Sequence, residues 1–319
     1  MPIPPAPTPE QFELVAKAID PAASVVSTHK LLGGLGCRMD VLEMRLANNE
    51  IRRVVTRQYW VRDDPSTDPR PIGESTVLKA LKANGVPVPE PVLNEEVASA
   101  IFGRPGLVIS YINGMPNLGP ANLDDWAKQI ATALAKIHTS TVPSDLKSLP
   151  QSHLISLEKW MSAEKPPNRF IEHELGTELW NAMKSLWQNV DTSEIRIIHS
   201  DFWPGNMIWK ADQLLAIVDW EWPSLGVPSD DVGYFLADAA YSGFDVEETF
   251  IETYEAVSGK RVTDLLFWKM MATAIPLPDV GPWARGYAEL GMRHMNPDEI
   301  RSAHSDYIRI LLKAFHETT

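Results

Sequence analysis

Across residues 113–120 the chain changes its hydrophobic period, and this change limits the possible folds more than any other feature. Before it, apolar and β-branched residues come in short strand-like runs: Lys30-Leu31-Leu32, Val41-Leu42-Glu43-Met44, residues 53–59, and Leu107-Val108-Ile109. One helix precedes them and another interrupts them. One starts at Thr8-Pro9-Glu10-Gln11, carries Phe12, Val15, Ala18 and Ile19 on one face and stops at Asp20-Pro21. The other presents Val77, Leu78 and Leu81, and Asn84-Gly85 with the following VPVP ends it. After the break apolar residues recur at helical spacing: Leu123, Trp126, Ile130, Leu134 and Ile137; Leu175, Leu179, Met183 and Leu186; Phe250, Ile251 and Tyr254; Ile308, Leu311, Leu312 and Phe315. The break itself, NGMPNLGP, holds two glycines and two prolines. The expected fold class is therefore α+β. A small sheet-rich lobe spans residues 1–112 with a flexible tail at 2–9, a hinge spans 113–120, and a larger, mainly helical lobe spans 121–319.

Composition narrows the function. The 319 residues carry 42 Asp and Glu against 29 Lys and Arg, a net charge of −13, which argues against nucleic acid and anionic membrane surfaces as partners. A single cysteine excludes a disulfide framework and any multi-cysteine zinc site. The start, MPIPPAPTPEQF, has neither a basic nor an apolar leader region, and the apolar stretch 265–277 is short and broken by Lys269, so a cytoplasmic protein is expected.

Residues 197–235 carry the chemistry: IIHSDFWPGNMIWKADQLLAIVDWEWPSLGVPSDDVGYF. Met207-Ile208-Trp209 and residues 214–218 read as two strands of a hairpin around a turn at 210–213. Asn206 enters that hairpin and Asp219 leaves it, so their oxygens sit at the same end and can converge on one hard cation. Asp201 lies on the loop just before. A carboxylate beside a Mg²⁺ site suits phosphoryl transfer, in which the metal neutralises phosphates and the carboxylate orients an acceptor hydroxyl.

With these residues in place, the chain resembles the aminoglycoside phosphotransferase group of small-molecule kinases, relatives of choline, homoserine and protein kinases. The group's H-G-D, P-G-N, D-W-E and G-D-P-x-x-D-L patterns read here as His199-Ser200-Asp201, Pro204-Gly205-Asn206, Asp219-Trp220-Glu221 and Gly226-Val227-Pro228-Ser229-Asp230-Asp231-Val232. Gly33, Gly34 and Gly36 match its phosphate-covering loop, Arg57 in VVTRQY its basic strand residue, and Glu74 in ESTVLKAL its helix acid. VPVPEPV and Leu134-Ala135-x-Ile137-His138 fit as well. The resemblance implies a two-lobed protein-kinase-like fold and a kinase that uses Mg²⁺ with ATP or GTP to phosphorylate a hydroxyl of a small acceptor. Asp201 would orient that hydroxyl, Asn206 and Asp219 would hold Mg²⁺, Arg57 set by Glu74 would hold nucleotide phosphates, and the backbone at Ser110, Tyr111 and Ile112 would bind the base.

The chain departs from the pattern in four places, one of them the loop, where Gly33, Gly34 and Gly36 do not form a clean G-x-G-x-x-G. Ser200 stands for glycine, Val227 for aspartate, and Arg57 for the lysine of many kinases, while Asp231 remains to cap the following helix. Two other functions fit the residues: a nucleotide-binding protein with little catalysis, or a metal-dependent hydrolase using His199 and Asp201 as ligands. Trp203, Trp220 and Trp222 suit either core packing or stacking on a flat acceptor. Asp230, Asp238, Asp245, Glu247, Glu248, Glu252 and Glu255 suit either solvated helix faces or a cleft for a cationic acceptor such as an aminoglycoside.

Overall fold

The computed structural model describes residues 4–31, 37–60, 70–142, 146, 152–292 and 294–318. Contacts divide the chain into two compact units, Met1–Asn113 with Ala216–Trp222, and Gly114–Leu215 with Pro223–Thr319. The return of 216–222 to the first unit is not written in the local sequence pattern.

In the first unit α1 (Pro9–Ile19) opens on the expected capping box: the Thr8 N–H donates to Gln11 Oε1 (2.9 Å) and the Gln11 N–H to Thr8 Oγ1 (3.2 Å). Asp20 ends it, and its carboxylate accepts the N–H groups of Ala22 (3.0 Å) and Ala47 (2.8 Å). Four strands, β1 (Ser24–Lys30), β2 (Cys37–Arg45), β3 (Ile51–Tyr59) and β4 (Gly106–Ser110), form an antiparallel sheet in that order. The register sets Arg57 opposite Met39 and Leu107, and Leu42 opposite Val54. Alternate residues face opposite ways, so Leu42, Met44, Val54 and Val108 share one face. Phe12 and Val15 of α1 cover it together with Ala98 and Phe102 of α3 (Glu95–Phe102). The other face carries Val41, Val55, Arg57, Tyr59 and Leu107, and meets α2 (Arg70–Ala83), which buries Glu74, Val77, Leu78 and Leu81. Helix α3 escapes the period because it is barely two turns long. Its sequence marks are the Asn94 cap, whose Oδ1 accepts the Glu96 N–H (2.7 Å), and Gly103 at φ 65°.

The second unit is mainly helical. Its helices are α4 (Leu123–Thr139), α5 (Ser152–Ser162), α6 (Asn168–Ile171), α7 (Gly176–Trp187), α8 (Pro228–Tyr241), α9 (Glu247–Ser258), α10 (Leu265–Ala274), α11 (Ala284–Glu289) and α12 (Pro297–Thr318). Helix α8 is buried on almost every side, as its run of apolar and small residues requires. It packs on α10, where a Cβ at Gly233 would stand 2.6 Å from the Trp268 carbonyl carbon. Leu179, Met183, Phe267, Met271, Ile308 and Leu311 complete that core.

Strands β5 (Arg196–Ile198) and β8 (Ser224–Gly226) pair, and β6 (Met207–Lys210) pairs with β7 (Gln213–Ile217) as the expected hairpin. Helix α4 braces this hairpin. Trp126 stacks on Trp209 (6.3 Å between centroids), and Gln129 spans the turn, donating to Asp212 O (2.8 Å) and accepting from the Leu214 N–H (2.9 Å). Asn206 at the mouth of β6 is thereby set on a rigid support.

Candidate active site

In the first unit the centre is Arg57, 2% exposed. Strand parity points it onto the α2 face of the sheet, where its guanidinium meets three carboxylates: Nη1 to Glu74 Oε1 (2.9 Å), Nη2 to Asp219 Oδ1 (2.8 Å), and Nη2 to Glu221 Oε2 at 3.7 Å. Cys37 Sγ accepts a further contact from Nη2 at 3.3 Å. The Tyr59 hydroxyl, two residues along the same strand face, donates to the second oxygen of Glu74. Burial would favour loss of the Arg57 proton, but the anionic groups around it outweigh this and hold its pKa well above the ordinary value. Glu221 stands beyond hydrogen-bond reach of Arg57, so burial and the neighbouring Asp219 push its carboxyl up to about 7. Cys37 is buried and its thiol is pushed up to about 12, which suits a side chain that fills space beside Arg57 rather than a reactive thiol.

Asp219 sits at φ 68°, a strained conformation for a residue with a side chain. Only its Oδ1 is engaged by Arg57, and its side chain remains partly exposed. In the second unit the amide nitrogen of Asn206 donates both to the Asp201 backbone oxygen and to Asp201 Oδ2, each at 2.9 Å, which leaves Asn206 Oδ1 without a protein donor among the described residues. Asn206 and Asp219 thus each keep a hard oxygen available, the donor type that Mg²⁺ takes.

The loop bearing Asp201 is held from helix α8. Asp231 accepts the backbone N–H groups of His199 (2.7 Å) and Ser200 (2.9 Å), and His138 Nε2 lies 3.2 Å from the same carboxylate. His138 Nδ1 in turn meets the Tyr254 hydroxyl at 2.8 Å. Burial alone would raise the Asp231 pKa; His138 and the loop donors overcome it and hold the carboxyl below its ordinary value. This corrects the expected helix cap: Val227 occupies the cap position of α8 without a side-chain bond, and Asp231, one turn inside, clamps the loop instead. Ser200 is at φ 68°, where glycine is the unstrained residue.

Two residues of these clusters, Tyr59 and Tyr234, had no functional signal of their own in the sequence, and Asp238 appeared only within the acidic run. Tyr234 donates to Asp201 Oδ1 at 2.9 Å. Asp238, one turn further along α8, is 4% exposed, receives the Tyr287 hydroxyl on one oxygen and has no partner on the other. Burial, with the charge of Asp201, pushes its carboxyl up to about 7. Tyr59 and Tyr234 each lie two or three residues from a motif residue on the same strand or helix face, the one local clue to them, whereas Glu221 belongs to the D-W-E match itself.

At the end of β4 the Ser110 N–H donates to Glu90 O (2.8 Å) and the Tyr111 N–H to Arg53 O (3.4 Å). Ile112 has neither backbone group engaged among the described residues, which singles it out of the three expected base contacts. Gly33, Gly34 and Gly36 lie outside the described residues. Trp220 is buried and bonds Ile217 O through its indole N–H (3.1 Å), while Trp222 is 42% exposed with the Arg70 guanidinium 5.2 Å above its ring. Trp203 packs on Tyr287. Of the acidic stretch, Glu247 pairs with Lys269 and Glu255 with Arg261, Asp245, Glu248 and Glu252 are exposed, and Asp230 and Asp238 are buried. No helix among the described residues is long and apolar enough to cross a membrane.

A homoserine kinase of Rhizobium etli (strain CIAT 652) is 25% identical over 207 residues, 59% of this chain and 62% of that protein, so the chain spans less than two thirds of its length. Among solved structures, the macrolide 2'-phosphotransferase MphH of Brachybacterium faecium superposes with a TM-score of 0.60 at 15% identity, covering 93% of this chain and 96% of its own. A spectinomycin phosphotransferase solved with ADP and spectinomycin gives 0.57 at 11% identity, covering 96% and 97%. These structures share the fold, the kinase-like α+β architecture expected from the sequence. The profile of the phosphotransferase enzyme family matches residues 45–267, the greater part of the sequence, including Arg57, Glu74, Asp201, Asn206 and Asp219. The chain belongs to the phosphotransferase enzyme family.

Proposed function

We propose that the chain is a small-molecule kinase that transfers the γ-phosphoryl group of ATP (or GTP) to an alcohol oxygen. In the transfer a bond forms between the acceptor oxygen and the γ-phosphorus while the bond to the bridging β,γ-oxygen breaks. The nucleoside diphosphate leaves with that electron pair, and the hydroxyl proton passes to Asp201 and then to solvent. The observation that carries this reading is the Asp201 carboxylate, held by Asn206 at 2.9 Å on a loop whose backbone Asp231 clamps. Arg57, oriented by Glu74, is assigned to the nucleotide phosphates, with Gly33, Gly34 and Gly36 covering them and Ile112 holding the base. Asn206 and Asp219 would hold Mg²⁺, with Glu221 near Asp219; the ion supplies neutralisation of phosphate charge.

The acceptor we propose is a small hydroxylated compound, with cationic compounds such as aminoglycosides among the candidates. Support for a cationic candidate comes from the acids of α9, where Glu248 and Glu252 are exposed beside Glu247 and Glu255, which pair with Lys269 and Arg261.

The test is a panel of amino alcohols, sugars, aminoglycosides and macrolides incubated with Mg²⁺ and ATP or GTP, with gain of one phosphoryl group read by mass spectrometry. Asp201→Asn is expected to lower turnover about a hundredfold or more. Equal turnover would remove Asp201 from its role, and an unchanged melting temperature with Mg²⁺-ATP would overturn the kinase reading.

A further inference from the structure

Helix α8 holds the loop at residues 199–201 at two levels. Asp231 takes its backbone; Tyr234, three residues on and therefore on the same helix face, takes its side chain. Asp201 is only partly buried and its carboxyl torsion belongs to the broad, weakly preferred kind, so the backbone clamp alone leaves the two oxygens free to rotate. Asn206 fixes Oδ2 and the Tyr234 hydroxyl fixes Oδ1, each at 2.9 Å. The two donors together define the plane of the carboxylate. Tyr234 is well suited to this task. Its ring is buried, and burial together with the charges of Asp201 and Asp238 keeps its hydroxyl protonated far above neutral pH, so it is always a donor.

We infer that Tyr234 is a positioning residue that sets the carboxylate plane of Asp201 for the acceptor hydroxyl. The inference rests on the kinase reading for its consequence in turnover, but its geometry is independent of that reading. A donor on Oδ1 also tempers the carboxylate as a base, which favours orientation of the hydroxyl over early removal of its proton.

Tyr234→Phe removes one oxygen and keeps the ring against Trp283. With Mg²⁺-ATP and the acceptor found in the panel, read as ADP release, kcat is expected to fall about tenfold to a hundredfold, the scale of a hydrogen bond to a charged group. The KM for ATP should stay within about twofold and the melting temperature within about 2 °C. In an Asp201→Asn background the same change should cost less than about twofold further, because it acts through the missing carboxylate. An unchanged kcat, or a loss that adds in full to that of Asp201→Asn, would overturn the inference.

A second measurement does not need turnover. The ¹³C carboxyl resonance of Asp201, assigned by its disappearance in Asp201→Asn, should move in Tyr234→Phe while the backbone amide signals of His199 and Ser200 stay in place. An unmoved carboxyl signal overturns the inference even where the kinase reading stands. If Mg²⁺-ATP neither binds nor turns over, the kinase reading falls and this resonance still decides the role of Tyr234.

Discussion

At the scale of single residues, the site combines strain with buried charge. Ser200 sits in the left-handed region with its N–H bound to Asp231, and its hydroxyl is buried without a partner. Ser200→Gly keeps that N–H and removes both costs; against the greater freedom of glycine in the unfolded chain, a net gain of about 1 kcal/mol is expected in urea titration. Arg57 is the opposite case. Arg57→Met leaves the buried Glu74 carboxylate without its guanidinium and should cost about 3 kcal/mol, while Arg57→Met with Glu74→Leu should recover much of it, since a buried pair is worth little more than well-packed apolar groups. Asp238 titrates from 3.8 in its ordinary state to about 7 in the fold, so the folded chain binds an extra proton between those values. Its contribution is complete in acid and is lost as pH rises toward 7. Asp238→Asn should therefore shrink the fall in melting temperature between pH 5 and pH 8 by about 4 °C.

At the scale of elements, helix α8 does the most: it spans the core, clamps the loop through Asp231 and sets Asp201 through Tyr234. Its close approach to α10 depends on Gly233, and Gly233→Ala should destabilise the chain by about 2–3 kcal/mol in denaturant titration, because the methyl meets Trp268 backbone. Much at this level was legible in the sequence. The Thr8 capping box, the helix stop at Gly85, the stripe of α4 and the hairpin entered at Asn206 and left at Asp219 all follow from local chemistry. Helix α3 was not, because eight residues carry too little period. Neither were the clamp at Asp231 nor the bond from Tyr234, since both depend on α8 returning beside β5, and a helix face does not name its partner in its own spacing.

At the scale of the whole molecule, part of the charge of −13 acquires a location: on α9 it is partly neutralised by Lys269 and Arg261, while Glu74, Glu221, Asp231 and Asp238 are buried in the two clusters. The sequence break was read as a simple boundary, yet the chain crosses between units three times, because 216–222 belongs with the first. A fragment of residues 1–113 lacks Asp219 and Glu221 for Arg57, and lacks the Ile217 N–H that meets Pro87 O at 2.8 Å. It is expected to show no cooperative thermal transition by circular dichroism. The same threading bears on synthesis. On the ribosome the first unit, although its sheet is made early, cannot close around Arg57 until 222 of the 319 residues have been joined. Folding that proceeds strictly from the N-terminus is thus denied to this chain, and its nascent sheet, with Arg57 lacking two of its three carboxylate partners, must wait for a seven-residue segment made long afterward.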